Sequence, residues 1–462
     1  MNNSLIYRQN VNRAPRRDLL TGLLSRGIVS NLADLVTLAI GLTSTLTVKF
    51  IGDLPVSEII LLTLLPIIVA MRGRRLRSPQ FKIVYSLLAL WLFGQVISDL
   101  YRHSQFIDWA RGDAAIIFFG LDLLGLIVIL SGNDRRKLIF VAGAAIGSIV
   151  VTIARPSELA QDDPWKFGYA FGVVNLVLLV SCYFYERRLY IISALLILFV
   201  ASINLIENYR HEVGQLLLLI ALVFPLIPER VGRLRFLSRA GAKMRLILSF
   251  GLALCAVLLA GSLIDAITSS GLLSEDAAAK NKSQRKGGSL LLGGRPEILV
   301  SSVAVMQSPI VGYGSWPKNS NYVEMLFDIQ VRSGVSDPTA TDELRTDLIP
   351  THSHLMGAWV WAGILGAVFW FYVIGIVCRG IFQIALERSA SAPLYAFLLL
   401  DALWNIFFSP FGLNARILDS LAIVFVCDLL HSAPSLVGTT LPRIKNPRRR
   451  LNRYSENILK SP

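Results

Sequence analysis

The sequence predicts an all-α fold, a polytopic bundle of about twelve transmembrane helices with one long extracytoplasmic loop between the ninth and tenth. Of the 462 residues, 54% are hydrophobic and only 16% are charged, and the mean hydropathy is +0.57. A soluble globular domain is usually less apolar and more highly charged. Composition therefore excludes an ordinary soluble enzyme and indicates a polytopic membrane protein.

Apolar runs of about 17 to 24 residues, near the length that a bilayer-spanning helix needs, recur along the chain. They cover residues 27–48, 55–71, 83–100, 114–130, 138–154, 167–185, 189–206, 213–228, 246–268, 354–377, 392–408 and 413–430. The first run follows a basic, polar stretch and has no small-residue cleavage site behind it. This pattern favours a retained helix over a signal peptide.

The distribution of basic residues predicts the orientation, because cytoplasmic loops are enriched in Lys and Arg. With both termini in the cytoplasm, 30 of the 45 basic residues face inward, and eight of the others lie in the long loop. The predicted regions are a cytoplasmic tail (1–26), helices one to nine (27–268), a periplasmic loop (269–350), helices ten to twelve (351–430) and a basic cytoplasmic tail (431–462). The net charge of +14 then reflects orientation and attraction to anionic lipid, not nucleic-acid binding.

One segment after the long loop could carry chemistry. Pro350 favours a chain reversal that starts a helix, so His352 is expected in the first helical turn, at the water–lipid boundary. A helix start keeps an imidazole neutral, as a general base requires, although anchoring of the helix end is an alternative role. A continuous helix would place Gly363 below His352 and Gly366 one turn further, where a neighbouring helix could pack closely.

Two arginines are candidate anion ligands. Arg295 precedes Pro296 and a predicted loop helix, whose free N–H groups already favour an anion, although a surface Arg would have the same position. Arg210 lies in a short outer segment, where pairing with Glu207 or Glu212 is the competing explanation. Both could bind a phosphate group.

Metal binding by His352 is disfavoured, because only His354 is near and the two do not share a helical face. The four cysteines show no paired spacing. We therefore expect no metal and no cofactor.

These residues also match a family pattern. His352-Ser353, nine residues, Gly363, two residues and Gly366 resemble the signature of the bacterial O-antigen ligase and O-antigen polymerase family. Upstream, Gly294-Arg295 and the run from Ser308-Pro309 to Gly312-Tyr313-Gly314 are similar to the family's Arg, helix and Pro-x-x-Gly-x-Gly segment.

The resemblance covers roughly residues 189–430 and includes two departures. Tyr209-Arg210 stands where the family usually has Ser-Arg. Ile298-Leu299 occupies the region where a Trp often follows the loop Arg. The departures affect the alignment of Arg210 more than that of His352.

The resemblance implies glycosyl transfer at the periplasmic face of the bacterial inner membrane, from a polyprenyl-diphosphate-linked glycan to an acceptor hydroxyl. Arg210 and Arg295 would bind the diphosphate without a metal. His352 would remove or position the acceptor proton, and Ser353, Gly312, Gly314, Gly363 and Gly366 would shape the site. The expected partners are the glycan, membrane lipid, a chain-length regulator and a repeat-unit flippase.

Three functional hypotheses remain open. A polymerase of exopolysaccharide or O-antigen is favoured, because the loop is long enough to hold two glycans. A ligase that transfers finished glycan to lipid A core is the alternative within the family. A polysaccharide transporter or flippase is a third hypothesis, suggested by Asp34, Glu58, Asp122 and Asp401 within apolar spans.

A reporter fusion at Ser320 tests the orientation. Because the basic residues favour cytoplasmic termini, we expect alkaline phosphatase fused at Ser320 to be active and a cytoplasm-dependent reporter to be inactive there. A fusion after Arg450 is the control with the opposite expectation. Cytoplasmic activity at Ser320 would contradict the predicted topology.

Overall fold

The computed structural model describes residues 31–49, 52–71, 78–224, 251, 295–332, 347–386 and 389–432. The described helices, in chain order, are α1 (Leu32–Leu42), α2 (Val56–Thr63), α3 (Leu65–Met71), α4 (Pro79–Arg102), α5 (Phe106–Leu130), α6 (Asp134–Ala154), α7 (Glu158–Asp162), α8 (Ala170–Glu186), α9 (Tyr190–Ile206), α10 (Arg210–Val223), α11 (Glu297–Gln307), α12 (Ser320–Arg332), α13 (His354–Ala362), α14 (Ile364–Leu386), α15 (Ala392–Phe408) and α16 (Leu413–Ser432). A π-helical turn, Trp165–Tyr169, leads into α8. The strands β1 (Thr47–Lys49) and β2 (Asp53–Pro55) form a small antiparallel hairpin.

Several predicted regions lie outside the described residues. They are the N-terminal tail, almost all of the ninth span, the polar stretch that opens the long loop, and the C-terminal tail beyond residue 432. The number of spans and the side on which the loop lies stay predictions.

Five described helices are long and apolar enough to cross a membrane: Pro79–Arg102, Phe106–Leu130, Asp134–Ala154, Trp165–Glu186 and Ile364–Ala385. Shorter apolar helices, among them α1, α9 and α15, pack beside them. The prediction of an α-helical membrane bundle is confirmed at this level. Four of the five long helices coincide with predicted spans.

An aromatic cluster joins the central helices. It consists of Trp91 in α4, Phe119 in α5, Phe369 and Trp370 in α14, and Phe411 in the connection between α15 and α16. The neighbouring rings have centroids 5.1 to 6.4 Å apart, many of them edge to face. Such pairs stabilise by about 0.5–1.5 kcal/mol each beyond the area that they bury. Since Trp91 and Phe119 lie midway along their helices, the connection reaches the middle of the bundle.

The predicted span at 354–377 is wrong, because the chain breaks at Gly363. There φ is 65° and ψ is −156°, a conformation that is essentially restricted to glycine. The membrane-length helix begins at Ile364, and α13 is a separate short helix. Ser353 caps α13, so His352 precedes the helix and does not lie in its first turn as predicted.

Helix α13 folds back on α14 as a tight hairpin. The rings of His354 and Trp370 have centroids 5.1 Å apart, and a Cβ on Gly366 would overlap the carbonyl oxygen of Ala358. These pairs are nested around the turn at Gly363, as in an antiparallel arrangement. Gly366 therefore packs against α13 of its own hairpin, not against a separate neighbouring span, and His352 lies far from Gly363.

The loop that follows α11 docks at the Gly363 break. Tyr313 N donates to Val360 O at 2.7 Å, Gly314 N donates to Trp361 O at 3.0 Å, and Ile364 N donates to Ile310 O at 3.2 Å. The carbonyls at the end of α13, which no helical N–H can reach, thus receive partners from the loop. A Cβ on Gly363 would overlap the carbonyl oxygen of Ile310.

Gly363→Ala should therefore destabilise the protein, by about 1–3 kcal/mol from the backbone conformation alone and by more from the overlap with the loop. Gly375→Ala, within the following helix α14, is the control, because a Cβ there meets open space. Thermal unfolding of the purified variants in detergent measures the difference. Equal melting temperatures for the two variants would contradict the proposed role of Gly363.

Candidate functional site

Helix α4 holds the docked loop through one polar face. Asp99 accepts hydrogen bonds from Ser315 N at 2.6 Å and from Ser315 Oγ at 2.7 Å. Ser98 Oγ accepts from Gly314 N at 2.8 Å, and Gln95 Nε2 donates to Ser315 Oγ at 2.8 Å. Asp99 and Ser315 are buried, so these bonds replace water. The loop position is fixed by α4 on one side and by α13 on the other.

Arg102 extends this attachment at the end of α4. Its Nε donates to Gly312 O at 2.9 Å and its Nη2 to Ser308 Oγ at 2.7 Å. The guanidinium also lies over the ring of Tyr313, 4.8 Å from its centroid. Gly312 has φ of 80°, and a Cβ there would lie 2.7 Å from Gly363 N. Gly312 therefore permits the close approach of the two backbones.

Helices α11 and α13 lie side by side and run in the same direction. The segment after the end of α11 bonds to the end of α13, while Val300 and Ala304 of α11 share a small core with Val360 of α13. At the other end, the charge of Arg295 acts on His352. Two helix starts, each with free N–H groups, therefore lie on the same side of the site.

Ser353 fixes the start of α13. Its Oγ accepts a hydrogen bond from Met356 N at 3.1 Å and donates to the carbonyl oxygen of Ile406 in α15 at 2.8 Å. Ser353 is buried. This N-cap attaches the residue next to His352 to the bundle, through a side chain that both accepts and donates a hydrogen bond.

His352 is half-buried just before this cap. Burial, and next the positive charge of Arg295, hold the pKa of its imidazole below the ordinary value of 6.5. Lys166 acts in the same direction and Glu297 opposes it. The sequence predicted a neutral imidazole because of the helix dipole. In the structure, the causes that lower the pKa of His352 are burial and the charges of Arg295 and Lys166. A pKa below 6.5 favours the neutral imidazole at pH 7.

Arg295 is also half-buried and precedes Pro296, the residue before the first turn of α11. Burial lowers the pKa of its guanidinium, and Glu297 raises it, but arginine stays charged at pH 7. A loop helix was predicted here with Pro296 at its first position, whereas the helix begins one residue later, at Glu297, and its start places a cation next to free N–H groups. Among the predicted site residues, Arg295 is the one whose charge acts on His352.

One residue that no sequence signal singled out, Lys166, joins this group. Lys166 lies in the π-helical turn, a conformation often found at functional sites, and its charge acts on both His352 and His211. Trp165 Nε1 donates to Asn204 Oδ1 at 2.9 Å, which holds the turn against α9. In the sequence, Lys166 is one of several basic residues predicted to lie outside the cytoplasm, and its spacing does not distinguish it from the others.

Arg210 is the first residue of α10. Its Nε donates to Asn208 Oδ1 at 2.8 Å. The adjacent His211 stacks on Trp404 of α15, with centroids 5.1 Å apart and the planes 6° from parallel, and it senses the charge of Arg295. Arg210 therefore lies next in sequence to His211, which senses the charge of Arg295. The cations whose charges act on His352 are Arg295 and Lys166.

His354 forms a buried structural contact. It is fully buried, its Nδ1 lies 2.7 Å from Ser409 O, and its Nε2 lies 3.0 Å from Asp419 Oδ2. Because a carbonyl only accepts, Nδ1 carries a proton. Asp419 and Asp401 also line a small cavity between α8, α15 and α16. His354 thus joins α13 to α15 and α16.

No known protein-family model and no curated protein matches this sequence. The functional argument therefore depends on the motif residues and on their geometry.

His354→Ala should destabilise the protein strongly, by about 3–5 kcal/mol, because it leaves Asp419 without its buried partner. The exposed His431 at the end of α16 provides the control variant His431→Ala, which should melt like the wild type. Adding Asp419→Asn to His354→Ala should recover part of the loss. A melting temperature for His354→Ala equal to that of His431→Ala would show that the contact contributes little.

Proposed function

We propose that this protein is a membrane glycosyltransferase that polymerises polyprenyl-diphosphate-linked repeat units into exopolysaccharide or O-antigen at the periplasmic face of the bacterial inner membrane. The observation that carries the proposal is that the positive charge of Arg295, just before α11, acts on the half-buried His352, just before α13, and with burial lowers the pKa of its imidazole. This arrangement offers a cation for an anionic leaving group and a base for a hydroxyl. The motif resemblance supplies the reaction class.

The departing diphosphate is the first requirement of this reaction. As the bond between the anomeric carbon and the diphosphate oxygen breaks, negative charge develops on that oxygen. The negative charge on this oxygen is stabilised by Arg295, by Lys166 and by the N–H groups at the start of α11. Arg210 is next in sequence to His211, which also senses the charge of Arg295. Half-burial strengthens these interactions relative to bulk water.

The acceptor hydroxyl is the second requirement. Its oxygen forms the new bond to the anomeric carbon, and its proton passes to a ring nitrogen of His352. A neutral imidazole can accept that proton at pH 7, and the proton can later leave to water. The pKa of His352, held down by burial and Arg295, keeps the base available.

The bundle would supply the environment for the lipid part of the donor. Many large apolar side chains on the described helices are exposed, among them Phe93 in α4, Ile117 in α5 and Phe199 in α9. In a bilayer these surfaces face acyl chains, and a polyprenyl tail has the same chemistry. The donor diphosphate can then reach the arginines while its tail stays in the membrane.

Transfer of finished glycan to lipid A core uses the same donor and the same groups, so a ligase is the second candidate. The length of the segment between the ninth and tenth predicted spans favours the polymerase. A repeat-unit flippase would supply the donor, and a chain-length regulator would act on the product.

His352→Ala and Arg295→Gln should each abolish most transfer while the protein still accumulates in the membrane. Loss of the Arg295 contact should raise the barrier by about 2–4 kcal/mol, by analogy with removal of one oxyanion donor. Arg155→Gln, at an exposed helix end, is the control for charge alone. Product analysis in cells carrying each variant provides the measurement.

The accumulated intermediate separates the two candidates. A polymerase variant should leave single repeat units on the lipid carrier, whereas a ligase variant should leave long glycan there. Normal glycan in a well-expressed His352→Ala strain would remove the catalytic assignment. Loss of wild-type transfer in EDTA, restored by a divalent cation, would contradict the metal-independent mechanism.

A further inference from the structure

The sequence singled out four acidic residues in apolar spans, Asp34, Glu58, Asp122 and Asp401, and three of these four have basic or amide partners among the described residues. Asp34 pairs with Arg135 and Arg136 at 3.4 and 3.2 Å. Asp401 accepts a hydrogen bond from Asn405 at 3.0 Å. The other two acids, Glu58 and Asp122, share one region of the bundle with a single arginine and form a separate group.

Arg416 in α16 binds Glu58 in α2 through both arms of its guanidinium. Nε donates to Oε1 at 2.8 Å and Nη2 donates to Oε2 at 3.0 Å. Glu58 is fully buried and Arg416 is 7% exposed. The bidentate geometry directs the positive charge at one carboxylate, that of Glu58.

Asp122 in α5 is the second carboxyl of this group. It is fully buried, and its side chain lies beside that of Glu58. Within the described part of the chain, no donor group reaches either of its oxygens, so Asp122 can form a hydrogen bond there only by sharing a proton with Glu58. Tyr85 of α4 is close, but its hydroxyl donates to the carbonyl of Gly120 at 3.3 Å. The described charges facing Asp122 are therefore those of Glu58 and Arg416.

The charges around Asp122 do not balance if both acids are ionised. Two buried carboxylates against one guanidinium leave a net negative charge in the bundle, and an uncompensated buried ion costs several kcal/mol. Two adjacent carboxyls avoid this cost when they hold one proton between them. We propose that Asp122 and Glu58, with Arg416, form a buried proton-binding site that holds one proton.

The site is linked by α16 to the region around His352. Arg416 lies between Phe411, whose ring is 5.4 Å from that of His354, and Asp419, which contacts His354 directly. The proton therefore sets the net charge near the start of α16, where Phe411 and Asp419 contact His354 of α13. This inference does not depend on the proposed glycosyl transfer, and it also gives the transporter hypothesis a defined residue to test.

Infrared difference spectroscopy of the purified full-length protein tests the site. The C=O stretch of a protonated carboxyl is separate from the carboxylate bands, and a detergent without ester groups leaves that region clear. The variants are Asp122→Asn, Glu58→Gln and Arg416→Gln, each compared with the wild type. Asp53→Asn is the control, because Asp53 is exposed in β2.

Asp122→Asn and Glu58→Gln should each lose one protonated-carboxyl band, because the acid that remains ionises against Arg416. Arg416→Gln should gain one such band, since both acids then hold protons. Asp53→Asn should lose only carboxylate signal. Loss of carboxylate signal alone in Asp122→Asn would overturn the proposal. Should Arg416→Gln fail to fold, the two acid variants and the control decide the result.

Discussion

The fold of the candidate site depends on the contact between the loop after α11 and the break at Gly363. Loop N–H groups satisfy the carbonyls of Val360 and Trp361, and Ile364 N returns a hydrogen bond to Ile310. A side chain at Gly363 would exclude the loop. Because this contact fixes the far ends of α11 and α13, it also determines where their starts lie relative to each other.

The electrostatic character of the site follows from that arrangement. Parallel helices present their free N–H groups on one side, and Arg295 and Lys166 add positive charge there. The same cations and burial lower the pKa of His352 and so favour its neutral form. One set of groups therefore attracts an anion and preserves a base, which are the two properties that glycosyl transfer from a diphosphate requires.

Local sequence signals predicted the long apolar helices and the presence of the loop helix α11, and they indicated Arg295 and His352 as candidate site residues. They did not predict the break at Gly363, because residues 354–377 are continuously apolar and glycine conformation leaves no periodic signal. Lys166 joins the site only through tertiary packing. His354, which differs little from His352 in sequence, is buried beside Asp419. One sequence signal could have indicated the attachment of the loop to α4. It is the row of polar residues in an otherwise apolar span, Gln95, Ser98, Asp99 and Arg102.

The attachment of α4 to the loop also constrains how the protein is made. Asp99 and Ser315 are 216 residues apart, so a ribosome completes α4 long before the loop exists. Until then Asp99 and Ser98 have no loop partner, and a carboxylate in an apolar span is costly in lipid. During biosynthesis there is therefore an interval in which polar side chains of α4 lack their hydrogen-bond partners. The last third of the chain later supplies these partners to a helix that was made near the beginning.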